Sequence, residues 1–214
     1  MKKLIHGIIE FRKSLTDERR RLFAKLSLGQ QPDALFIACS DSRVVPDHFA
    51  STEPGDLFVL RNIGNLVPPA TSCPQENSVV STLEYSLYFL GISDIIVCGH
   101  SECGAIEALV QGVDSDSFPY LASWLHYGKE SLNNSIEGVS FDASLSELNK
   151  ISQVNVLQQM SHVMSYPFIK ESKVRIHGWW FDLAKASVHC YESDRGRFVE
   201  LDEEESELIL KRLG

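Results

Sequence analysis

The chain has 214 residues, 43% hydrophobic and 23% charged, ordinary values for a globular domain long enough to bury a sizeable core. Its formal net charge of −9 argues against nucleic acid or an anionic membrane surface as a partner, and no apolar run approaches the roughly 20 residues of a membrane-spanning helix. The five cysteines (39, 73, 98, 103 and 190) are an odd number, which suits metal ligation in a reducing compartment better than a disulfide framework.

Residues 1–28 read as a helical arm in two pieces. Leu4, Ile5, Ile8, Ile9 and Phe11 form one apolar face and Leu22, Phe23 and Leu26 another, with Thr16-Asp17 as a start signal and Gly29 as a stop. Such an arm packs either on its own domain or on a neighbouring subunit. His6, Glu10 and Arg12 break the apolar stretch that a secretory signal would need, so a cytoplasmic location is expected.

Leu35-Phe36-Ile37-Ala38 reads as a buried strand that stops at Cys39, with Asp41 and Arg43 following at alternate positions. Pro46 fits the first turn of a short helix, and 56–61 is a second strand. Residues 62–76 read as an irregular loop containing Gly64, Pro68, Pro69 and Pro74. Asn77 or Ser78 opens a helix carrying Val79, Val80, Leu83, Leu87 and Leu90, closed by Gly91. A third strand, 94–98, delivers His100, and Cys103 follows.

Further on, 120–132 reads as a helix carrying Trp124 and Leu125. Ser144-x-x-Glu147 reads as a capping box, and Leu145, Leu148, Ile151, Val154, Leu157 and Met160 recur at helical spacing as a core stripe. Residues 174–181 form a fourth strand, and 188–191 pairs either with 197–201 or with that strand. The acidic run 202–207 reads as a solvated face. The expected fold is therefore α/β, one domain over 1–214 with 1–28 as its arm. Its core is a mainly parallel sheet of four to five strands flanked by helices.

Cys39 and His100 both follow strands, so they would meet in the crevice above a parallel sheet. Cys103 joins them because His-x-x-Cys puts both side chains on one side of a starting helical turn. Two cysteines and one histidine make a three-ligand zinc site with an open fourth position. By spacing alone, the same residues read equally well as two small buried hydrophobes and a satisfied loop histidine. Cys98 points away from the metal if the strand alternates, and Cys73 and Cys190 read as inert.

Cys39-Ser40-Asp41-Ser42-Arg43-Val44 together with Gly99-His100-Ser101-Glu102-Cys103-Gly104 resembles the β-class carbonic anhydrases. The segments 55–62, Leu83-Glu84-Tyr85 and His177-Gly178-Trp179 with Asp182 are similar to that family in the same order, so the resemblance covers nearly the whole chain. It implies that Cys39, His100 and Cys103 hold Zn2+, one per chain, and that Arg43 holds the Asp41 carboxylate away from the metal. It further implies Gln30 as an amide donor to bicarbonate, and Phe58 and Tyr85 as walls of the substrate pocket, across a subunit boundary in a homodimer or higher homo-oligomer. One subgroup of the family carries Trp and Gly where this chain has Phe36 and Ala38, so the similarity is greater to the plant-like subgroup with an open site. Many relatives have paired glycines where Asn77-Ser78 stand here, and Asn tolerates the left-handed backbone such a turn can need.

The activity implied is reversible hydration of carbon dioxide to bicarbonate and a proton, by hydroxide that zinc generates from water. Two thiolates donate more charge than imidazoles do, so activity should rise on the alkaline side of neutrality. The ligands alone do not separate carbon dioxide from carbonyl sulfide or carbon disulfide. A zinc-bearing scaffold without turnover has no need of the Asp41–Arg43 pair, and a redox role lacks a Cys-x-x-Cys motif.

Overall fold

Six consecutive apolar residues can stay in a strand only where both faces of a sheet are covered, and Ala34–Cys39 is buried at every position. A computed structural model describes residues 1–73, 75, 77–133 and 135–213, without the side chain of Leu213. In chain order its elements are α1 (Lys2–Ser14), α2 (Asp17–Leu26), β1 (Ala34–Cys39), α3 (Pro46–Phe49), β2 (Leu57–Asn62), α4 (Ser78–Tyr88) and β3 (Asp94–His100). Then come α5 (Gly104–Gln111), α6 (Pro119–Leu125), α7 (Glu147–Met164), α8 (Pro167–Lys170), β4 (Arg175–Asp182), β5 (Ser187–Glu192), β6 (Arg197–Glu200) and α9 (Glu203–Leu213). Short 3-10 segments occupy Ile63–Asn65 and His126–Asn133.

The strands form one six-stranded sheet in the order β2-β1-β3-β4-β5-β6, larger than the four to five strands expected. β2, β1, β3 and β4 run parallel, and β5 and β6 extend the sheet antiparallel. Both pairings foreseen for 188–191 occur at once, which accounts for the extra strand. The chain leaves β1 for β2 on one side and returns to β3 on the other. The carboxyl ends of β1 and β3 therefore flank a topological switch point, where a parallel sheet opens a crevice.

On one face of the sheet Leu35, Ile37, Ile95 and Val97 pack against Leu83 of α4 and Val156 and Val163 of α7. On the other, Phe36, Ala38, Ile96, Cys98 and Phe181 pack with Phe49 and Trp179. Helix α7 lies very close to the sheet: a Cβ on Gly99 would stand 2.7 Å from Val156 Cγ2, and one on Gly178 2.6 Å from Met160 Sδ. That approach lets even short side chains of α7 reach strand-end backbone.

Local readings are corrected in two places, at the cap of α7 and beyond Leu125, while the helix start read at Asn77 or Ser78 is observed. The cap of α7 is Ser146, whose Oγ accepts from Asn149 N at 3.2 Å, whereas Ser144 is turned to Asp142 Oδ1 through both its N–H and its hydroxyl. The expected helix over 120–132 ends at Leu125 and tightens into a 3-10 segment, where the Tyr127 carbonyl accepts from Gln159 Nε2 on α7. Asn77 is not left-handed: its φ is −138°, and its Oδ1 caps α4 by accepting from the N–H groups of Val79 and Val80. The proline-rich loop over 62–76 is described apart from Pro74 and Glu76, which lie outside the described residues.

Neither arm helix has a buried residue. Helix α2 touches the domain through Leu26, which fills the space beside Gly55, and through an Arg19–Glu53 ion pair of 3.2 Å. Helix α1 leaves Leu4, Ile5, Ile8 and Ile9 exposed.

Candidate metal centre

Strand β1 ends in Cys39 and β3 in His100, and the turn after β3 brings Cys103 back beside them. That turn needs Glu102 in the left-handed region, at φ 51°. The three residues are 4%, 0% and 1% exposed, and their ligating atoms all lie within 4.8 Å of one another. The two sulfurs stand 4.0 Å apart, and the Gly64 amide donates to Cys39 Sγ at 3.4 Å.

His100 carries the clearest sign of a missing partner. Its Nδ1–H donates to the Ser101 carbonyl at 2.9 Å, which leaves the lone pair of Nε2 pointing inward. Nε2 is buried with no hydrogen-bond partner among the described residues, an arrangement that costs free energy unless a ligand completes it. The Cys103 thiol foremost, and the Gly64 amide, pull the Cys39 thiol down to about 4 against the effect of burial. Donating to Cys39, and its own burial, push Cys103 up. Two sulfurs sharing a proton beside an unpartnered imidazole nitrogen are the donor set that Zn2+ accepts, and the residues present fit it.

Asp41 and Arg43 leave the end of β1 beside this cluster. Arg43 donates from Nε to Asp41 Oδ1 at 2.9 Å and from Nη2 to Oδ2 at 2.7 Å, and its backbone N–H also reaches Oδ1 at 2.9 Å. These bonds, the side-chain ones foremost, hold the Asp41 carboxyl well below the usual carboxylate range. Asp41 Oδ2 is also 4.0 Å from His100 Nε2, so the carboxylate stands at the rim of the metal position while tied to the guanidinium.

Gln30, Phe58 and Tyr85 are not brought to this cluster within the chain. Gln30 is exposed in the loop before β1. Phe58 pairs with Leu35 whereas Asn62 pairs with Cys39, which sets Phe58 about 13 Å down the strands from the metal end. Tyr85 packs beside Phe58 with its ring tilted by 33° and ring centroids 5.9 Å apart, and remains 42% exposed. Cys98 lies on the sheet face opposite Cys39, its thiol raised by burial, and Cys190 is buried in β5. Cys73 packs against the larger core cluster.

Sequence reasoning passed over two supports of the centre. Arg61 donates from Nε to the Cys39 carbonyl at 3.0 Å and from Nη2 to the Asp41 carbonyl at 2.6 Å, bracing the turn that carries both residues. Helix α7 carries a buried polar stripe, Asn149, Ser152, Asn155, Gln159 and His162, alongside its apolar one. Ser152 Oγ donates to the His100 carbonyl at 2.8 Å, and Asn155 Nδ2 to the Gly64 carbonyl at 3.1 Å. Gln159 Oε1 accepts from Val67 N at 2.8 Å. The stripe satisfies the backbone of both loops around the metal position; helical spacing of amides and hydroxyls was its only signal in the sequence.

Comparisons with known proteins point to one family. The family described as carbonic anhydrase matches residues 34–188. The carbonic anhydrase of Pseudomonas aeruginosa is 37% identical over 209 residues, covering 95% of this chain and 93% of the relative. β-Carbonic anhydrase 1 of Caenorhabditis elegans is 32% identical, covering 95% and 89%. Among solved structures, the β-carbonic anhydrase CcaA superposes with a TM-score of 0.83 at 32% identity, covering 95% of this chain and 92% of its own. A tetrameric β-carbonic anhydrase of Sordaria macrospora gives 0.74 at 27% identity, covering 88% and 95%. With matching family, relatives and fold joined to a Cys-His-Cys cluster at the switch point, the chain belongs to the β-class carbonic anhydrases, zinc enzymes that hydrate carbon dioxide reversibly to bicarbonate.

Proposed function

We propose that Cys39, His100 and Cys103 hold the one zinc ion of each chain, and that Asp41 and Arg43 keep its fourth position open for the reaction. The observation that carries this reading is the buried, unpartnered Nε2 of His100, in a cluster whose His-ring and sulfur ligand atoms lie within 4.8 Å of one another. Bound zinc supplies a Lewis acid that makes water a nucleophile near neutral pH. The protein's own contribution is placement. Arg43 engages both oxygens of Asp41 in the two-pronged geometry that guanidinium offers and ammonium does not. Held there, Asp41 cannot close on the metal, yet it keeps lone pairs with which to accept a hydrogen from the reacting water.

The substrate side is completed by a second copy of the chain. Gln30, Phe58 and Tyr85 lie far from their own metal end but on exposed or half-exposed surface, where a partner's centre can meet them. Gln30 then donates its amide to bicarbonate, and Phe58 and Tyr85 wall the pocket. The exposed apolar face of α1 supports the same pairing, since among the described residues it stays unburied apart from the edge contact of Phe11 with Phe23. No helix among the described residues is long and apolar enough to cross a membrane, and an odd number of cysteines, two of them metal ligands in this reading, suits a cytoplasmic setting.

The test combines metal analysis with stopped-flow carbon dioxide hydration on the purified protein. One zinc per chain and rapid hydration are expected. Full zinc retention in Cys39→Ser, His100→Ala or Cys103→Ser would remove that residue from the ligand set.

A further inference from the structure

Arg43 has a second acceptor besides Asp41: its Nη2 also donates to the Glu102 carbonyl at 2.9 Å. Glu102 keeps its left-handed φ of 51° with a Cβ, a conformation that persists where surrounding contacts hold it. Those contacts come from Asn149, in the first turn of α7. Its Oδ1 accepts from Glu102 N–H at 2.9 Å, and its Nδ2 donates to Glu102 Oε1 at 3.0 Å. Asn149 is itself buried, and its backbone N–H is occupied by the Ser146 cap.

We propose that Asn149 is a positioning residue for the Asp41–Arg43 gate, clamping Glu102 at amide and carboxylate so that the Glu102 carbonyl keeps Arg43 against Asp41. This rests on the reading of that pair as a gate, and adds to it a residue from a distant helix. Arg43 is half exposed, and a long guanidinium side chain with one partner samples many rotamers. A carbonyl in a fixed place restricts that freedom. Only a side chain with a donor and an acceptor side by side can serve both groups of Glu102, and a short amide is the one that fits. A carboxylate at this place would oppose Glu102, and an apolar side chain would leave the Glu102 amide without its acceptor.

The experiment uses the full-length enzyme in zinc and cobalt(II) forms and reads metal content, the visible spectrum of the cobalt form and carbon dioxide hydration. Arg43→Ala is the reference for an open gate, with a cobalt spectrum altered by access of Asp41 to the metal. Asn149→Ala should keep its metal, alter the spectrum in the same direction and lower turnover by about 10-fold to 100-fold. Asn149→Asp should behave likewise. Because a negative charge in the first turn of α7 favours that helix, its loss of activity would not come from helix melting. Adding Glu102→Gln to Asn149→Asp exchanges donor for acceptor within the clamp and should restore both spectrum and turnover.

If Arg43→Ala alters the cobalt spectrum while both Asn149 variants match the wild type, the positioning role is refuted and the gate survives. If Arg43→Ala leaves the spectrum unaltered, the gate reading fails and takes this inference with it. Should Asn149→Ala prove insoluble, failure of Glu102→Gln to rescue Asn149→Asp overturns the clamp on its own.

Discussion

The carboxylate of Asp41 stands 4.0 Å from Nε2 of His100 while Arg43 occupies both of its oxygens. A carboxylate that close to a metal position competes for it unless it is restrained, and in the proposed function that restraint comes from Arg43. Arg43→Ala should therefore retain zinc, because no ligand is touched, yet lose about 10-fold to 100-fold in hydration rate. Arg43→Lys should recover only part of that loss, since a point charge leaves one carboxylate oxygen free. Asp41→Ala removes the competitor and the acceptor together, so its turnover should also fall with zinc intact. Stopped-flow rates measured beside zinc content decide the matter. Near wild-type turnover in zinc-loaded Arg43→Ala would reduce Arg43 to a surface charge.

Metal removal tests the centre from the side of stability. With zinc gone, two buried sulfurs and an unpartnered imidazole nitrogen are left at the switch point of the sheet. A ligand that binds only the folded state raises its apparent stability with the logarithm of concentration over Kd. Chelation should lower the melting temperature by several degrees, and zinc should restore it. In Cys103→Ser the response to zinc should largely disappear. A melting temperature indifferent to chelator in the wild type would mean that the centre is not occupied.

Much of the fold and of the metal centre is legible in the sequence. β1 and β3 announce themselves because a strand covered on both faces is apolar throughout, and their ends carry Cys39 and His100. The sheet's far edge was less legible. β5 lies between two antiparallel partners, and a local pattern can signal pairing without saying how many partners a strand has. The cap of α7 was misread because Ser144 and Ser146 both fit a capping pattern, and the choice fell to Asp142, which captures Ser144 in a turn. Arg61 and the polar stripe of α7 were invisible for a common reason. Their partners are backbone groups of loops far along the chain, such as the carbonyls of Cys39, Gly64 and His100. Side-chain patterns do not reveal which distant carbonyls need donors.

Acid stability should depend on a cluster at the opposite end of the sheet. Asp94 accepts from Arg175 at 2.8 and 2.7 Å, from Ser93 at 2.7 Å and from His177 at 2.8 Å. The Arg175 bonds are the chief reason its carboxyl is held well below the ordinary range. A depressed folded-state pKa means stability that is present above the unfolded value of about 3.9 and is lost as pH falls toward the folded value. Asp94→Asn should thus cost on the order of 1 kcal/mol at pH 7, discounted for the half-exposed guanidinium. The gap to wild type should narrow below about pH 4. Urea unfolding of both proteins at pH 7 and pH 3 measures it, with acid loss of zinc common to the two. A gap that stays constant with pH would assign the effect to packing instead.

The proposed sharing of a site between two chains can be tested with two impaired variants together. If Gln30 of one chain serves the metal centre of its partner, Gln30→Ala damages the neighbour's site while Cys39→Ser damages its own. A mixed dimer then contains one wholly intact centre, with metal from the Gln30→Ala chain and the amide from the Cys39→Ser chain. The other centre carries both defects. Random pairing of equal amounts makes half of the dimers mixed, so about a quarter of wild-type sites should be restored. Each variant alone should be far below that level. Co-expression with two different affinity tags isolates the mixed species, in which about half of the sites should work. If Gln30 acts on its own chain, each chain of a mixed dimer is defective by itself, and activity stays at the mean of the two variants. Analytical sedimentation of the same samples provides the control, because a monomer of 24.0 kDa at micromolar concentration leaves no partner to supply the amide.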